Sequence, residues 1–458
     1  MIAWCVIAAV AGFVVWQNSK PHVGAKKTAE NRLVGTIVDW QARYLVGGAR
    51  MFPANQSEQF AAAAKVDSGP IEQRLRNVVV AGEISGPKAA AEKLDSLEKA
   101  LEGEHASAED RQTAESLERL YGDLAGGRTT LPSLKPADRE RLADRLGWSG
   151  RLALHPAGGD EADVREALLA EARRTIVVSL FSFAAFGLLA LAGLVVLVTI
   201  VVLLLVRPKS RSIIAPTPRG GIYAETFAAW MALYIALSYT AAWLPIERHR
   251  LLLAAAVMLS SLSALAWPVF RGVAWRQVRD DIGLRGGRRP LVELLLGLVA
   301  YLAALPLVIA GLVLIVAIMA LERQGAGGAG LELGREMPSH PIVGWLLDSD
   351  WWQKLQVVFL ASVMAPLMEE TMFRGVLHRH LRDATSRFGF AASVLMSGLA
   401  VSFLFAVIHP QGLLATPVLM ALALAFTLAR EWRGTLLPAM LAHGANNLLA
   451  TWVLISLS

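Results

Sequence analysis

The amino-acid sequence predicts an all-α, polytopic helical membrane protein of about eight or nine transmembrane helices, with an N-terminal helical soluble domain. Of its 458 residues, 55% are hydrophobic and 18% are charged, and the mean hydropathy is +0.46. Long apolar runs fill the chain from Thr175 onward, whereas residues 20–174 carry apolar side chains at three- and four-residue spacing. Such a chain is too apolar for an ordinary soluble protein and too long for one core.

The formal charge of +6 is unevenly distributed along the chain. Residues 20–174 hold 23 basic and 24 acidic side chains, whereas residues 175–458 hold 21 basic and 14 acidic. The cations of the second part lie between apolar runs and form no stripe with interleaved aromatic residues, so we expect no nucleic-acid partner. The single cysteine, Cys5, excludes an internal disulfide scaffold.

The first part of the chain predicts an anchor and a soluble domain. Residues 1–17 are apolar, with no preceding cation and no cleavage site directly after them, which favours a retained membrane anchor over a signal peptide. Residues 20–174 predict helices over runs such as 89–101 and 108–124, with breaks at Gly103 and Gly126 and a loop marked by Pro132 and Pro136. We expect this domain to bind a partner protein or act as a scaffold.

The second part predicts a transmembrane helix and cytoplasmic linker over residues 175–221 and a membrane domain over residues 222–458. A helix needs roughly 20 apolar residues to cross the hydrocarbon core. With the N-terminal anchor, the predicted spans number nine, the other eight being 175–206, 222–245, 251–270, 291–320, 353–373, 389–408, 412–429 and 435–456.

The distribution of Lys and Arg between the spans predicts the orientation. The segments 207–219, 271–290, 374–388 and 430–433 hold 16 of these cations, whereas the alternate segments 246–250 and 321–352 hold four. The first set is therefore expected in the cytoplasm, with the N-terminus inside and residues 20–174 outside. We expect an integral protein of a bacterial inner membrane, with membrane lipid as a partner.

Ionisable residues inside a membrane are unfavourable and indicate function. The first such group is MEETMFR at residues 368–374. On a helix Glu370 and Arg374 share a face and are suited to an ion pair. Glu369 is turned about 100° away and is left without that cation, so it is a candidate general base toward water. The alternative is that both carboxylates are solvated at the end of a span.

Two further groups lie in later spans. Phe405 and His409 are four residues apart, so the phenyl ring can pack on the imidazole of either a catalytic or an interfacial histidine. His443 and Asn447 have the same spacing and present two hydrogen-bond donors on one helix side, which suits a developing oxyanion. The alternative for this pair is polar contact between packed helices.

The ordered set EExxxR, FxxxH and HxxxN resembles the CAAX protease and bacteriocin-processing family of intramembrane glutamic-type endopeptidases. The resemblance extends over about residues 222–457, with the motifs in its last part, and it implies a hydrolase without covalent intermediate or cofactor. The resemblance implies that Glu369 and His409 activate a water and that His443 and Asn447 hold the oxyanion. It also implies that Glu370 and Arg374 orient the site. Phe405 supports the site, and the expected substrate is a peptide or protein at the membrane, which is prenylated in eukaryotic relatives.

The predicted spans place these groups at different depths. Glu369 and His443 lie toward the cytoplasmic side, whereas His409 closes its span on the outer side. A broken or tilted segment near Pro410, Gly412 and Pro417 is therefore expected to bring His409 inward.

Two alternatives stay open. In a zinc metalloprotease, Glu369, His409 and His443 would bind the metal, because two His and one Glu form a known catalytic zinc set. However, the chain has no H-E-x-x-H, and His378 and His380 are placed in a basic loop outside the spans. In a transporter or inactive scaffold, the buried ionisable residues would form a proton relay, but the spans suggest no inverted repeat.

Overall fold

The computed structural model describes residues 1–19, 25–52, 58–60, 62, 71–102, 106–206, 221–246, 249–287, 289–325 and 350–457. All regular elements of these residues are helices, which confirms the predicted fold class. The predicted break at Gly103 and the linker at 207–219 lie outside the described residues. The helices are α1 (Ile2–Asn18), α2 (Ala25–Met51), α3 (Ile71–Ser85), α4 (Pro87–Glu102), α5 (Ala108–Ala125), α6 (Pro136–Leu154), α7 (Ala162–Leu205), α8 (Ile222–Ala242), α9 (Arg250–Phe270), α10 (Trp275–Ile282), α11 (Pro290–Gly325), α12 (Trp351–Phe388), α13 (Phe390–Val407), α14 (Thr416–Arg433) and α15 (Leu437–Leu457).

The chain divides into two compact units. The membrane unit comprises Met1–Ala29, Gly187–Ile318 and Pro338–Ser458, and the second unit comprises Glu30–Phe186 and Met319–Met337. In the membrane unit, the largest core cluster joins α1, α8, α12 and α13 around Phe227, Phe373 and Phe405.

Six helices of the described residues are long and apolar enough to cross a membrane. They correspond to six of the nine predicted spans and lie at Ala162–Leu205, Arg250–Phe270, Pro290–Leu321, Trp351–Phe388, Phe390–Val407 and Leu413–Arg433. The other three predicted spans are also helical, as α1, α8 and α15. The large apolar side chains that α7 exposes, such as Phe181, Leu188 and Val195, suit contact with lipid. The chain is an integral membrane protein.

The structure corrects the prediction of a loop at residues 374–388. α12 continues through this segment to Phe388, and it includes two π-helical stretches, Leu360–Met364 and Glu370–Leu377. His378 and His380 therefore lie in a helix, and His378 is fully buried. Three of the four cations assigned to a cytoplasmic loop, Arg374, Arg379 and Arg382, are buried inside the protein. They form internal ion pairs. A count of exposed loop cations that predicts the orientation in the membrane should therefore not include them.

A polar stripe runs along α12 where it packs on α14. Glu370, Arg374, His378 and Arg382 recur at every fourth position and so share one helix face. Nε2 of His378 lies 2.9 Å and Nε of Arg382 2.6 Å from the same carboxylate oxygen of Glu431. Buried charges are tolerated in a protein when they are paired in this way.

The second unit has a core of its own, built by α3, α4, α5 and α6. The breaks predicted after residue 125 and before Pro136 are confirmed, because α5 ends at Ala125 and α6 begins at Pro136. Core leucines come from all four helices and are fully or almost fully buried, among them Leu75, Leu97, Leu117, Leu120, Leu142 and Leu146.

Asp138 stabilises the start of α6. Its carboxylate accepts the backbone N–H of Lys135 at 3.2 Å and guanidinium N–H groups of Arg119 at 2.8 Å and Arg141 at 3.0 Å. Burial alone would raise the pKa of Asp138, but the Lys135 N–H and the two guanidinium groups outweigh it, so its pKa lies below the ordinary value of 3.8. The ionised form is thus the one that the folded unit favours.

Because the pKa of Asp138 is lowered on folding, its contribution to stability is present above about pH 3.8 and is lost as the pH falls through the lowered pKa. We expect Asp138→Asn to reduce the free energy of unfolding at neutral pH by roughly 1 to 2 kcal/mol. The variant should then lose less additional stability than the wild type on acidification to about pH 3. Calorimetry of the full chain in detergent checks this. Exposed Asp144, on the same helix, is the control, and equal pH dependence of both Asn variants would contradict the prediction.

Candidate active site

The lengths of α12 and α13 place the first two motifs, which contain Glu369 and His409, at the same distance from the turn between the two helices. They are antiparallel neighbours joined at Gly389, whose φ of 85° lies in the left-handed region that favours glycine. Glu369 lies 20 residues before Gly389 and His409 lies 20 residues after it. At 1.5 Å per helical residue, both are about 30 Å from the turn. The predicted difference in depth is therefore wrong, because α12 does not end at residue 373 and Glu369 lies near its middle.

Glu369 lies between two imidazoles. Its Oε2 is 3.9 Å from Nε2 of His409 and 3.8 Å from Nε2 of His443. This oxygen is buried and has no hydrogen-bond partner among the described residues. Distances of this size are too long for direct hydrogen bonds and suit a small polar group, such as a water, placed between the partners.

His409 is held in one tautomer when it is neutral. Its Nδ1 lies 2.7 Å from the carbonyl oxygen of Phe405, which can only accept, so Nδ1 carries the proton and Nε2 has the lone pair. The phenyl ring of Phe405 packs on the imidazole with centroids 4.1 Å apart, as the sequence predicts. His409 therefore presents an acceptor nitrogen toward Glu369.

Glu370 and Arg374 form the predicted ion pair, at 3.0 Å and with both side chains fully buried. The same Glu370 oxygen accepts Nδ1–H of His443 at 2.8 Å. Arg374 also donates to the carbonyl of Ala423 at 3.2 Å. Its guanidinium carbon lies 4.4 Å from the ring centre of Phe405, a cation–π contact. Glu370 is thus occupied by structural contacts, whereas its neighbour Glu369 is not.

Asn447 uses one of its side-chain N–H groups in a contact with α12. Its Nδ2 donates to the carbonyl of Ala361, at 2.8 Å, in the first π-helical stretch of α12. An amide nitrogen carries two hydrogens, so one N–H remains for another acceptor. The close contact of α15 with α12 depends on Gly444, where a Cβ would lie 2.5 Å from the Ser362 carbonyl oxygen. Gly444 therefore allows α15 to pack closely on α12 between His443 and Asn447.

These groups face one cavity of about 470 Å³. Glu369, His409, His443 and Asn447 provide polar atoms to its wall, and most of the remaining wall is apolar. The apolar part comes from several helices and includes Val10, Val14, Trp230, Met231, Ile235, Met258, Leu419, Leu422 and Leu454. An apolar cavity with a few convergent polar groups is the usual form of a binding or active site.

The zinc alternative has a clear geometric requirement. A catalytic zinc ion takes three protein ligands at about 2.0–2.2 Å. Within the described ranges no group of three or more His, Cys, Asp or Glu side chains is arranged to hold a metal ion. The effect of a chelator on the cleavage rate decides whether Glu369, His409 and His443 bind a metal.

The last part of the chain matches a known protein family. Residues 351–449 match the family model for type II CAAX prenyl endopeptidases of the Rce1-like type. This segment is similar to that family and is called the Rce1-like segment for that similarity. The match supports a CAAX-type endopeptidase of the membrane and confirms, over these residues, the family resemblance that the three motifs indicate. No curated protein and no solved structure matches the chain.

The Rce1-like segment also contains contacts that sequence reasoning missed. Phe426 on α14 stacks on His443, with centroids 5.1 Å apart and planes 19° apart. Its ring centre lies 5.5 Å from the guanidinium carbon of Arg374. Ala361 contributes a backbone carbonyl, and Asn446 donates to Oδ1 of Asn447 at 3.1 Å. An apolar Phe in an apolar helix and a backbone carbonyl leave no signal in the sequence.

Removing one member of the buried Glu370–Arg374 pair should be strongly destabilising. We expect Arg374→Met to reduce the free energy of unfolding by about 3–5 kcal/mol, because it leaves Glu370 buried without its cation. The double variant Glu370→Gln/Arg374→Met should lose less than the sum of the single variants. The free energy of unfolding is measured in mixed detergent micelles for the wild type, the two single variants and the double variant.

The control is the pair of Arg271 and Glu225, whose side chains are 48% and 33% exposed. Arg271→Met is expected to lower the stability by at most about 1 kcal/mol. Equal losses for Arg374→Met and Arg271→Met would contradict the structural importance of the buried pair.

Proposed function

We propose that the membrane unit is a glutamic-type intramembrane endopeptidase that hydrolyses a peptide bond with a water activated by Glu369 and His409. The observation that carries this proposal is the position of the buried Glu369 Oε2, 3.9 and 3.8 Å from the imidazoles of His409 and His443. A water about 2.8 Å from each acceptor fits between Glu369 and His409. The cavity around them has a volume of about 470 Å³, which lies within the usual range of ligand-binding pockets.

In the proposed reaction, the water oxygen attacks the scissile carbonyl carbon while Glu369 takes a proton from the water. His409 accepts the second hydrogen bond of that water at its Nε2 and fixes the direction of attack. A tetrahedral oxyanion forms, and its collapse breaks the C–N bond. The proton then passes to the leaving amine. No covalent intermediate with the protein is needed.

His443 is proposed to stabilise the oxyanion as an imidazolium. Its Nδ1–H donates to Glu370, so Nε2 carries a hydrogen only when the ring is protonated. The carboxylate oxygens of Glu369 and Glu370 lie 3.8 Å from Nε2 and 2.8 Å from Nδ1 of this ring. The remaining N–H of Asn447 is the second donor in this proposal. Preorganised donors of this kind supply a large part of the catalysis in acyl transfer.

The proposed substrate class is a lipidated peptide, which enters the cavity within the membrane together with its hydrocarbon chain. The family model names prenyl endopeptidases, and the wall of the cavity is largely apolar around Trp230, Met231 and Leu454. A farnesylated C-terminal Cys-aliphatic-aliphatic-X peptide is therefore the first probe, and the same peptide without the lipid is the second. That residues 20–174 bind a partner or substrate stays a prediction.

The test uses purified full-length protein and a quenched fluorescent form of each peptide. We expect Glu369→Gln, Glu369→Ala and His409→Ala to reduce kcat by about 10²–10⁴-fold, the usual contribution of general base catalysis. Glu225→Gln is the control, because Glu225 does not line the cavity, and it should keep kcat within about twofold of the wild type. Wild-type cleavage by both Glu369 variants would eliminate the glutamic mechanism.

A chelator arm separates this mechanism from the zinc alternative. If Glu369 activates water directly, 1,10-phenanthroline leaves the cleavage rate unchanged. A rate that falls with the chelator and recovers with added Zn²⁺ would instead favour Glu369, His409 and His443 as metal ligands. The metal content of the purified protein provides a second readout.

We further propose a bacterial inner membrane location with the N-terminus inside. The ring centroids of Trp4 and His380 are 5.8 Å apart, so the start of α1 lies on the same side of the membrane unit as the end of α12. The cations of 271–290 and the exposed Arg387 favour the cytoplasm for that side.

The orientation is tested by labelling intact cells with a membrane-impermeant maleimide. In a Cys5→Ser background, Arg387→Cys is expected to stay unlabelled until the membrane is permeabilised, whereas Asp144→Cys in the soluble domain should be labelled at once. Both side chains are exposed at these positions. Labelling of Arg387→Cys in intact cells would reverse the proposed orientation.

A further inference from the structure

α1 is part of the cavity wall of the membrane unit. Ile7 and Ala11 are 2% and 8% exposed and lie in the core cluster that contains Phe405. One turn further along the same side, Val10 and Val14 line the cavity that Glu369 faces. Residues 7, 10, 11 and 14 have the spacing of a single helix face. α1 therefore contributes to the site although it lies outside the Rce1-like segment.

The end of α1 contacts the turn that carries His409. α13 ends at Val407, and the last carbonyl groups of a helix have no partner within the helix. The side-chain amide of Asn18 donates to two of the carbonyls that follow, those of Ile408 at 3.2 Å and of His409 at 3.1 Å. One side chain thus holds the two peptide groups that flank the Cα atom of His409.

We propose that Asn18 is a positioning residue for His409. The imidazole is held by the Phe405 carbonyl at 2.7 Å, and its backbone is held by Asn18. Together these contacts set the distance of 3.9 Å between His409 Nε2 and Glu369 Oε2. A small rotation of the turn would move Nε2 away from a water bound at Glu369. This role rests on the proposed function, in which His409 orients that water.

The variants of Asn18 are chosen to remove, reverse or keep its side-chain hydrogen-bond donor. Asn18→Ala removes the donor, and Asn18→Asp replaces it with a carboxylate that can only accept and that repels the two carbonyls. Asn18→Gln keeps an amide on a longer side chain and should restore part of the function. Gln17→Ala is the matched control, because Gln17 is the preceding residue and donates at 2.7 Å to the hydroxyl of Tyr239, away from the His409 turn.

Two measurements on the full-length protein test the proposal. The first is the rate at which diethylpyrocarbonate modifies His409, read by mass spectrometry, which needs no substrate. The second is cleavage of the farnesylated quenched peptide. We expect Asn18→Ala and Asn18→Asp to change the His409 labelling rate several-fold and to lower kcat by about 10–100-fold with little change in KM, as for a misplaced catalytic group. Gln17→Ala should match the wild type in both measurements.

A double variant distinguishes positioning from a general loss of structure. If Asn18 acts through His409, Asn18→Ala/His409→Ala cleaves no more slowly than His409→Ala alone, and thermal unfolding of Asn18→Ala matches that of Gln17→Ala. Wild-type labelling and wild-type kcat in Asn18→Ala would overturn the proposal. Wild-type cleavage by His409→Ala would instead overturn the proposed function, and the labelling rate would still decide whether Asn18 holds the His409 turn.

Discussion

The buried pair of Glu370 and Arg374 is the interaction on which the arrangement of the membrane unit depends. In a medium of low dielectric constant neither charge can be left without the other. Arg374 donates to α14 at the Ala423 carbonyl and lies over the Phe405 ring on α13, and Glu370 accepts from His443 on α15. One ion pair on α12 therefore contacts three other helices, of which α15 carries His443 and Asn447 and α13 leads into His409.

The same requirement explains why α12 is so long. Beyond Arg374 the helix carries His378 and Arg382, which would be unfavourable in an apolar environment without a partner. Glu431 of α14 contacts both, and Arg382 also donates to Ser393 of α13. A helix that continues past residue 373 can make these contacts, whereas a solvated loop would leave Glu431 buried and alone. The continuation also places Glu369 opposite His409.

The sequence predicts those features that depend on spacing within one helix. The pairs Glu370 with Arg374 and Phe405 with His409 form as expected, because residues four apart share a helix face. The prediction of a loop at 374–388 was wrong in part because Arg382 and His378 contact Glu431, about 50 residues away along the chain, and a count of charges along the chain cannot detect such a partner. The contacts of Asn447 with Ala361 and of Asn18 with the His409 turn depend on helix packing for the same reason.

Glu369 and Glu370 are adjacent and chemically identical, yet their surroundings are opposite. Glu370 accepts from Arg374 and His443 and is fully buried, so it is committed to holding the fold. Glu369 points into the cavity with 17% of its side chain exposed, and its Oε2 has no hydrogen-bond partner among the described residues. Two carboxylates in different environments can therefore take different roles, as paired carboxylates do in other enzymes. The separation depends on the helix itself, because a turn of about 100° per residue directs one carboxylate to the protein and the next to the cavity.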